Sequence, residues 1–127
     1  MSHSYVIVSE HRLVVSRARG ALTEDALRHH YDVLGTDPWF DPTYRQLIDL
    51  REVTAFAFGA RALQRAVGRS VFSPGARRAV VAATPAQVRV ARLFWMLAEA
   101  AGHVVRVFED VAAARAWLGP SPARVRG

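Results

Sequence analysis

The chain reads as an α/β domain: one mixed, mostly parallel five-stranded sheet in the order β-β-α-β-α-β-α-β-α, with helices packed against it. Three observations predict this. Short β-branched runs alternate with segments of helical period, the pattern of βαβ units. Helix starts carry capping residues, at Thr23, at Thr84-Pro85 and at Asp110. Leu47-Ile48 and the run Ala79-Val80-Val81-Ala82 are apolar at successive positions, as in strands covered on both faces. At 127 residues the chain makes one domain, placed at 1–119. The remainder, 120–127, is expected to be a disordered tail.

The elements follow in order. Ser4–Ser9 and Arg12–Arg19 form a hairpin turning at Glu10-His11. Gly20 is expected to break the second strand. Thr23 caps a helix whose first turn holds Glu24 and Asp25, where carboxylates complement the helix dipole. Its buried side carries Ala26, Leu27, Tyr31 and Leu34, and Gly35 suits a C-terminal stop. Trp39-Phe40 lies between two Asp-Pro turn signals, with core anchoring expected of the pair. Tyr44–Leu50 is the third strand, ending just past Asp49. From about Gly59 to Phe72 the period is helical, with Leu63, Ala66, Val67 and Ser70 on one face and Arg61, Arg65 and Arg69 on another. Arg78–Ala83 is the fourth strand, 85–101 the third helix, His103–Phe108 the fifth strand, and a last helix runs to Leu118.

Composition narrows the function classes. The absence of cysteine excludes disulfides, thiolate metal sites and thiol catalysis. No apolar stretch reaches the ~20 residues that span a bilayer, and the N-terminus lacks a signal-like pattern, so a cytoplasmic protein is expected. All 17 basic residues are arginine against 11 acids, and seven arginines but no acid fall between Val53 and Ala98. Such a patch attracts anions without specifying them. No interleaving of aromatic and basic residues of a nucleic-acid-binding type accompanies it, so nucleic acid is not expected as a partner.

Three stretches resemble the STAS domain, in its SpoIIAA-like branch of small stand-alone bacterial proteins. They are Arg19-Gly20-Ala21-Leu22-Thr23, Leu47-Ile48-Asp49-Leu50 with Val53-Thr54, and Val107-Phe108 followed by Ala112-Ala113-Ala114-Arg115-Ala116-Trp117-Leu118. The resemblance spans about residues 4 to 119 and implies a non-enzymatic regulatory or protein-interaction domain. The family's phosphorylated Asp-Ser-Ser-Gly motif aligns with Ala57-Phe58-Gly59-Ala60, so glycine stands where the serine would be. Switching by serine phosphorylation is therefore not expected. The resemblance extends to the lipid-carrying CRAL-TRIO domains, which implies an alternative: a carrier or sensor of an apolar or acidic small molecule.

The candidate ligand or partner surface comprises Asp49, Thr54, Phe56, Phe58, Gly59, Arg61, Arg65 and Arg69, around the turn after the third strand. Asp49 is the one carboxylate placed for catalysis, and a weaker alternative makes it the base of an enzyme. No catalytic motif supports that, and no catalytic residue is assigned. Asp25, His29 and Asp32 share a helix face, but three polar residues there are expected to be solvated, so no metal or cofactor is assigned. The third helix carries a second apolar stripe. Val88, Arg92, Trp95 and Met96 are the candidate interface of a homodimer.

Overall fold

The computed structural model describes residues 3–119; the tail expected at 120–127 lies outside them. Ten elements form in order: β1 (His3–Val8), a 3-10 turn (Ser9–His11), β2 (Leu13–Thr23), α1 (Glu24–Thr36), β3 (Arg45–Ala57), α2 (Ala60–Gly68), β4 (Arg77–Val81), α3 (Pro85–Ala100), β5 (Val104–Phe108) and α4 (Val111–Leu118). The sheet order is β1-β2-β3-β4-β5, with β1 antiparallel to β2 and every other pair parallel. The α/β class and the element order expected from the sequence both hold. Among the described residues, no helix is long and apolar enough to cross a membrane.

Three crossovers step across the sheet in one direction, so right-handed connections put α1, α2 and α3 on one face. Strand alternation decides which side chains meet them. Val14, Ala18, Leu22, Ile48, Leu50 and Val80 pack under these helices with Leu34, Val67, Ala91 and Ala98. The intervening residues Leu13, Leu47, Ala79 and Val81 face α4 through Ala114 and Leu118. Each strand covered on both faces is thus apolar at consecutive positions, as Leu47-Ile48 announced.

The caps act as their chemistry predicts. Thr23 accepts from the Ala26 N–H at 3.1 Å, and Asp110 from the Ala113 N–H at 2.7 Å. Thr84 and Gln87 form a reciprocal capping box with Pro85 in the first turn.

Four local expectations are corrected. Gly20 does not end β2; its φ of +68° sits beside a bulge, and the strand runs on to Thr23. Gly35 lies inside α1, which stops at Thr36; a Cβ there would meet Val71 Cγ1 at 2.9 Å, so the glycine allows a close approach rather than a C-terminal stop. The second helix ends at Gly68, well short of Phe72. Of the aromatic pair, Phe40 packs edge to face on Phe72 at 5.2 Å, but Trp39 is 70% exposed. The turn at Asp37, which accepts from the Trp39 and Phe40 N–H groups, points the two rings apart.

The largest correction concerns β3. It does not end near Asp49 but continues to Ala57. Pairing with β4 stops at Asp49↔Val81, while pairing with β2 continues to Thr23↔Ala57. Register shifts between Arg17 and Arg19, and between Gly20 and Ala21, each add a residue to β3. Beyond the main sheet, β2 and β3 therefore form a two-stranded arm, and the arm delivers Phe56 and Phe58 to the ends of the helices.

Candidate functional site

Between the sheet and α1–α3 lies a pocket of about 50 Å³. Leu22, Ile48, Leu50 and Val80 form its floor, and Leu27, Leu63, Ala66, Val90 and Phe94 its walls. Phe56 and Phe58, half-buried and edge to face at 5.9 Å, line it from the arm. A dry apolar cavity of roughly 150 Å³ admits benzene. The free space here is only about a third of that, so even a benzene-sized guest must displace a lining group. The aromatic pair on the arm is the group with least sheet behind it.

Four lining residues are polar: His3, Tyr31, Ser70 and Arg78. Arg78 shares the inward side of β4 with Val80, which leaves it 3% exposed. Its Nε donates to Gln46 Oε1 at 2.9 Å. Its terminal nitrogens reach the hydroxyls of Ser70 at 3.5 Å and Tyr31 at 3.4 Å, both long contacts. The guanidinium rests over Phe72 at 4.6 Å and Phe94 at 5.3 Å from the ring centroids. Among the described residues, no carboxylate lies within ion-pair distance of it.

A polar seam leads from Arg78 under the helices. Gln46 Nε2 donates to Ser16 Oγ at 2.8 Å and to Tyr31 Oη at 3.2 Å, and Ser16 Oγ shares a 3.0 Å hydrogen bond with His30 Nε2. His30 stacks on His3, centroids 3.6 Å apart and planes within 7°. Burial pushes His30 down to about 3, with further lowering from His3 and His29, and pushes His3 down to about 4. Both rings are therefore neutral near pH 7. Among the described residues, the two buried ring nitrogens of His3 have no hydrogen-bond partner.

The surface expected from the sequence divides. Phe56 and Phe58 line the pocket, whereas Asp49 is buried on the α4 face of the sheet. Its carboxylate accepts from the Arg51 backbone N–H and Nε at 3.0 Å each and from an Arg51 terminal nitrogen at 2.9 Å. These bonds to Arg51 hold it below the usual carboxylate range against the opposing effect of burial. A carboxylate so occupied is a weak base, and the pocket lies across the sheet from it.

Thr54 is exposed in the bulged part of β3, and Gly59 precedes α2 as its cap residue. Arg61 is exposed on α2, and Arg69 is exposed at its C-cap. Arg65 is engaged by Glu24 at 2.7 and 2.9 Å, which breaks up the basic stripe. On α3, Arg92 and Met96 are exposed, Val88 is half-buried, and Trp95 donates its Nε1–H to Glu99 at 2.8 Å. Among the described residues, no group of three or more His, Cys, Asp or Glu is placed to hold a metal ion.

Sequence reasoning missed Arg78, Gln46, Ser16, His3 and His30. The available signal was strand parity. Arg78 alternates with Val80 and Ala82, Gln46 with Ile48 and Leu50, and Ser16 with Val14 and Ala18, so all three polar groups sit on core-facing positions.

No protein-family model and no curated protein matches the chain. Among solved structures, it is similar to an uncharacterized protein of the DUF3478 family with a SpoIIAA-like fold, from Shewanella loihica PV-4. The two share 19% sequence identity over 92% of this chain and 94% of that one, with a TM-score of 0.64. Topology and structural likeness agree: this chain has a SpoIIAA-like fold.

Proposed function

We propose that the protein is a non-enzymatic binding domain that carries or senses a small, largely apolar molecule between its sheet and α1–α3. The observation that carries this reading is the pocket itself, whose apolar walls come from three helices and three strands around one buried charged group. Occupancy would move the Phe56/Phe58 pair, and the arm bearing that pair forms part of the surface a partner protein meets. Ligand state and surface shape are thereby linked without a phosphorylated serine.

The test is fluorescence of N-phenyl-1-naphthylamine, a neutral apolar dye, with the whole chain. The dye should brighten on binding to the native protein. Ala66→Phe, which fills the pocket from α2, should abolish the response while circular dichroism stays unchanged. An equal response from the filled variant, or none from the native protein, would refute the reading.

A second reading, a homodimer through α3, is favoured by the 66% exposure of Met96 beside Arg92. Exposed methionine is suited to contact with another protein. Sedimentation should then show a dimer that Met96→Glu converts to monomer; a native monomer at high concentration removes this reading.

A further inference from the structure

Resting on the pocket reading above, we infer that the ligand is a monocarboxylic acid with an apolar body, its carboxylate received by Arg78 together with Tyr31 and Ser70. A buried guanidinium ordinarily has a carboxylate beside it, because removing a charge from water without a counter-charge is strongly unfavourable. Arg78 is buried and has none among the described residues. The aromatic rings it rests over offset part of the desolvation, but they supply no counter-charge, and the terminal nitrogens have only the long contacts to Ser70 and Tyr31.

The neighbouring hydroxyls are poor substitutes for an acid and good helpers for one. Tyr31 Oη accepts from Gln46 and Arg78, and Ser70 Oγ accepts from the Phe72 N–H at 3.2 Å and from Arg78. With those roles filled, each hydroxyl proton is left to be donated. The polar end of the pocket thus presents donors: two guanidinium nitrogens and two hydroxyls, with the His3 ring also in the lining. A cation would be repelled there, and a neutral amide would leave the charge uncompensated. A dianionic phosphate would exceed the single positive charge available. A carboxylate matches both the charge and the forked geometry of the guanidinium, whose Nε is already held by Gln46. The walls of Leu27, Leu63 and Val90, with Leu50 on the floor, accept the rest of the molecule. The free 50 Å³ is less than an aromatic ring or an alkyl chain needs, so entry of the apolar body requires Phe56 and Phe58 to swing out.

Calorimetric titration of the whole chain with octanoate and with octanamide at neutral pH tests the inference, because the pair differs only at the head group. Octanoate should bind at least tenfold more tightly than octanamide. Arg78→Met should erase that preference while octanamide still binds. Tyr31→Phe keeps the ring and removes one donor, so it should weaken octanoate several-fold and leave octanamide unchanged; if Arg78→Met fails to fold, this variant decides. Equal affinity for acid and amide overturns the carboxylate assignment while leaving the pocket intact. So does a native protein that binds the naphthylamine dye but not octanoate. If neither the dye nor either octanoyl compound binds, the pocket reading itself falls.

Discussion

At the scale of single residues, Gln87 shows how a side chain can replace missing secondary structure. Where β4 ends, β3 loses its partner on that side, and its carbonyls at Arg51 and Val53 would lie buried without donors. Gln87, 2% exposed, donates Nε2–H to both, at 3.1 and 2.9 Å. Its Oε1 accepts the N–H groups of Ala83 and Thr84 at 2.9 and 3.0 Å. All four hydrogen-bonding positions of the amide are thus used, and the start of α3 is fastened to the continuing strand. Gln87→Ala should lower stability by about 2–4 kcal/mol, since each buried group left unpaired contributes about 1–3 kcal/mol. Gln87→Glu should do no better, because a carboxylate would face two carbonyl oxygens. The shift in urea midpoint of the two variants checks both expectations. In the sequence only the cap at Thr84-Pro85 was legible; the contacts of Gln87 with β3 depend on the end of β4, which no local pattern records.

At the scale of elements, the difference between expected and observed β3 has a physical origin. The strand is clear up to Leu50, where both faces are covered and Leu47-Ile48 are apolar in succession. Past that point the strand has neighbours on one side only, and its sequence, Arg51-Glu52-Val53-Thr54-Ala55, reads as a polar turn because most of these residues meet solvent. The bulges opposite Arg17–Ala21 further scramble the period of two. Helix starts, by contrast, were readable almost to the residue, because a cap is a contact within three residues of the chain. The arm makes its own prediction. Gly20 holds φ +68° with nothing within 4 Å of where a Cβ would sit, so Gly20→Ala introduces backbone strain alone. The variant should lose about 1–2 kcal/mol, the penalty of left-handed backbone for an L-residue. Hydrogen exchange should also accelerate selectively at Ala21–Thr23 and Val53–Ala57; uniform acceleration across the sheet would mean that the arm does not move as a unit.

At the scale of the whole molecule, the polar seam from Arg78 to His3 crosses β4, β3, β2 and β1 beneath the helices. Its members come from positions 3, 16, 30, 46 and 78, so no spacing in the chain announced them; only the sheet order and the parity of each strand bring them together. The pocket's aromatic half was legible, because Phe56 and Phe58 lie close together in sequence, whereas its charged half was not. The seam also fixes how stability depends on pH. His3 and His30 have folded-state values lowered to about 4 and about 3, against an ordinary 6.5. As pH falls below the ordinary value, the unfolded chain takes up protons at both rings while the folded protein does not. Stability must therefore decline from about pH 6.5 down to the folded values, and it is fully present above that window. At pH 5 each ring contributes a loss of about 2 kcal/mol, so the folded state should be weaker by up to about 4 kcal/mol than at pH 7.5. His30→Asn should flatten the profile by about half, because it removes one of the two rings, even if it lowers stability at every pH. Urea midpoints measured from pH 7.5 to 5 give the profile, and a native curve that is level across this range would show that the stacked rings accept protons within the fold.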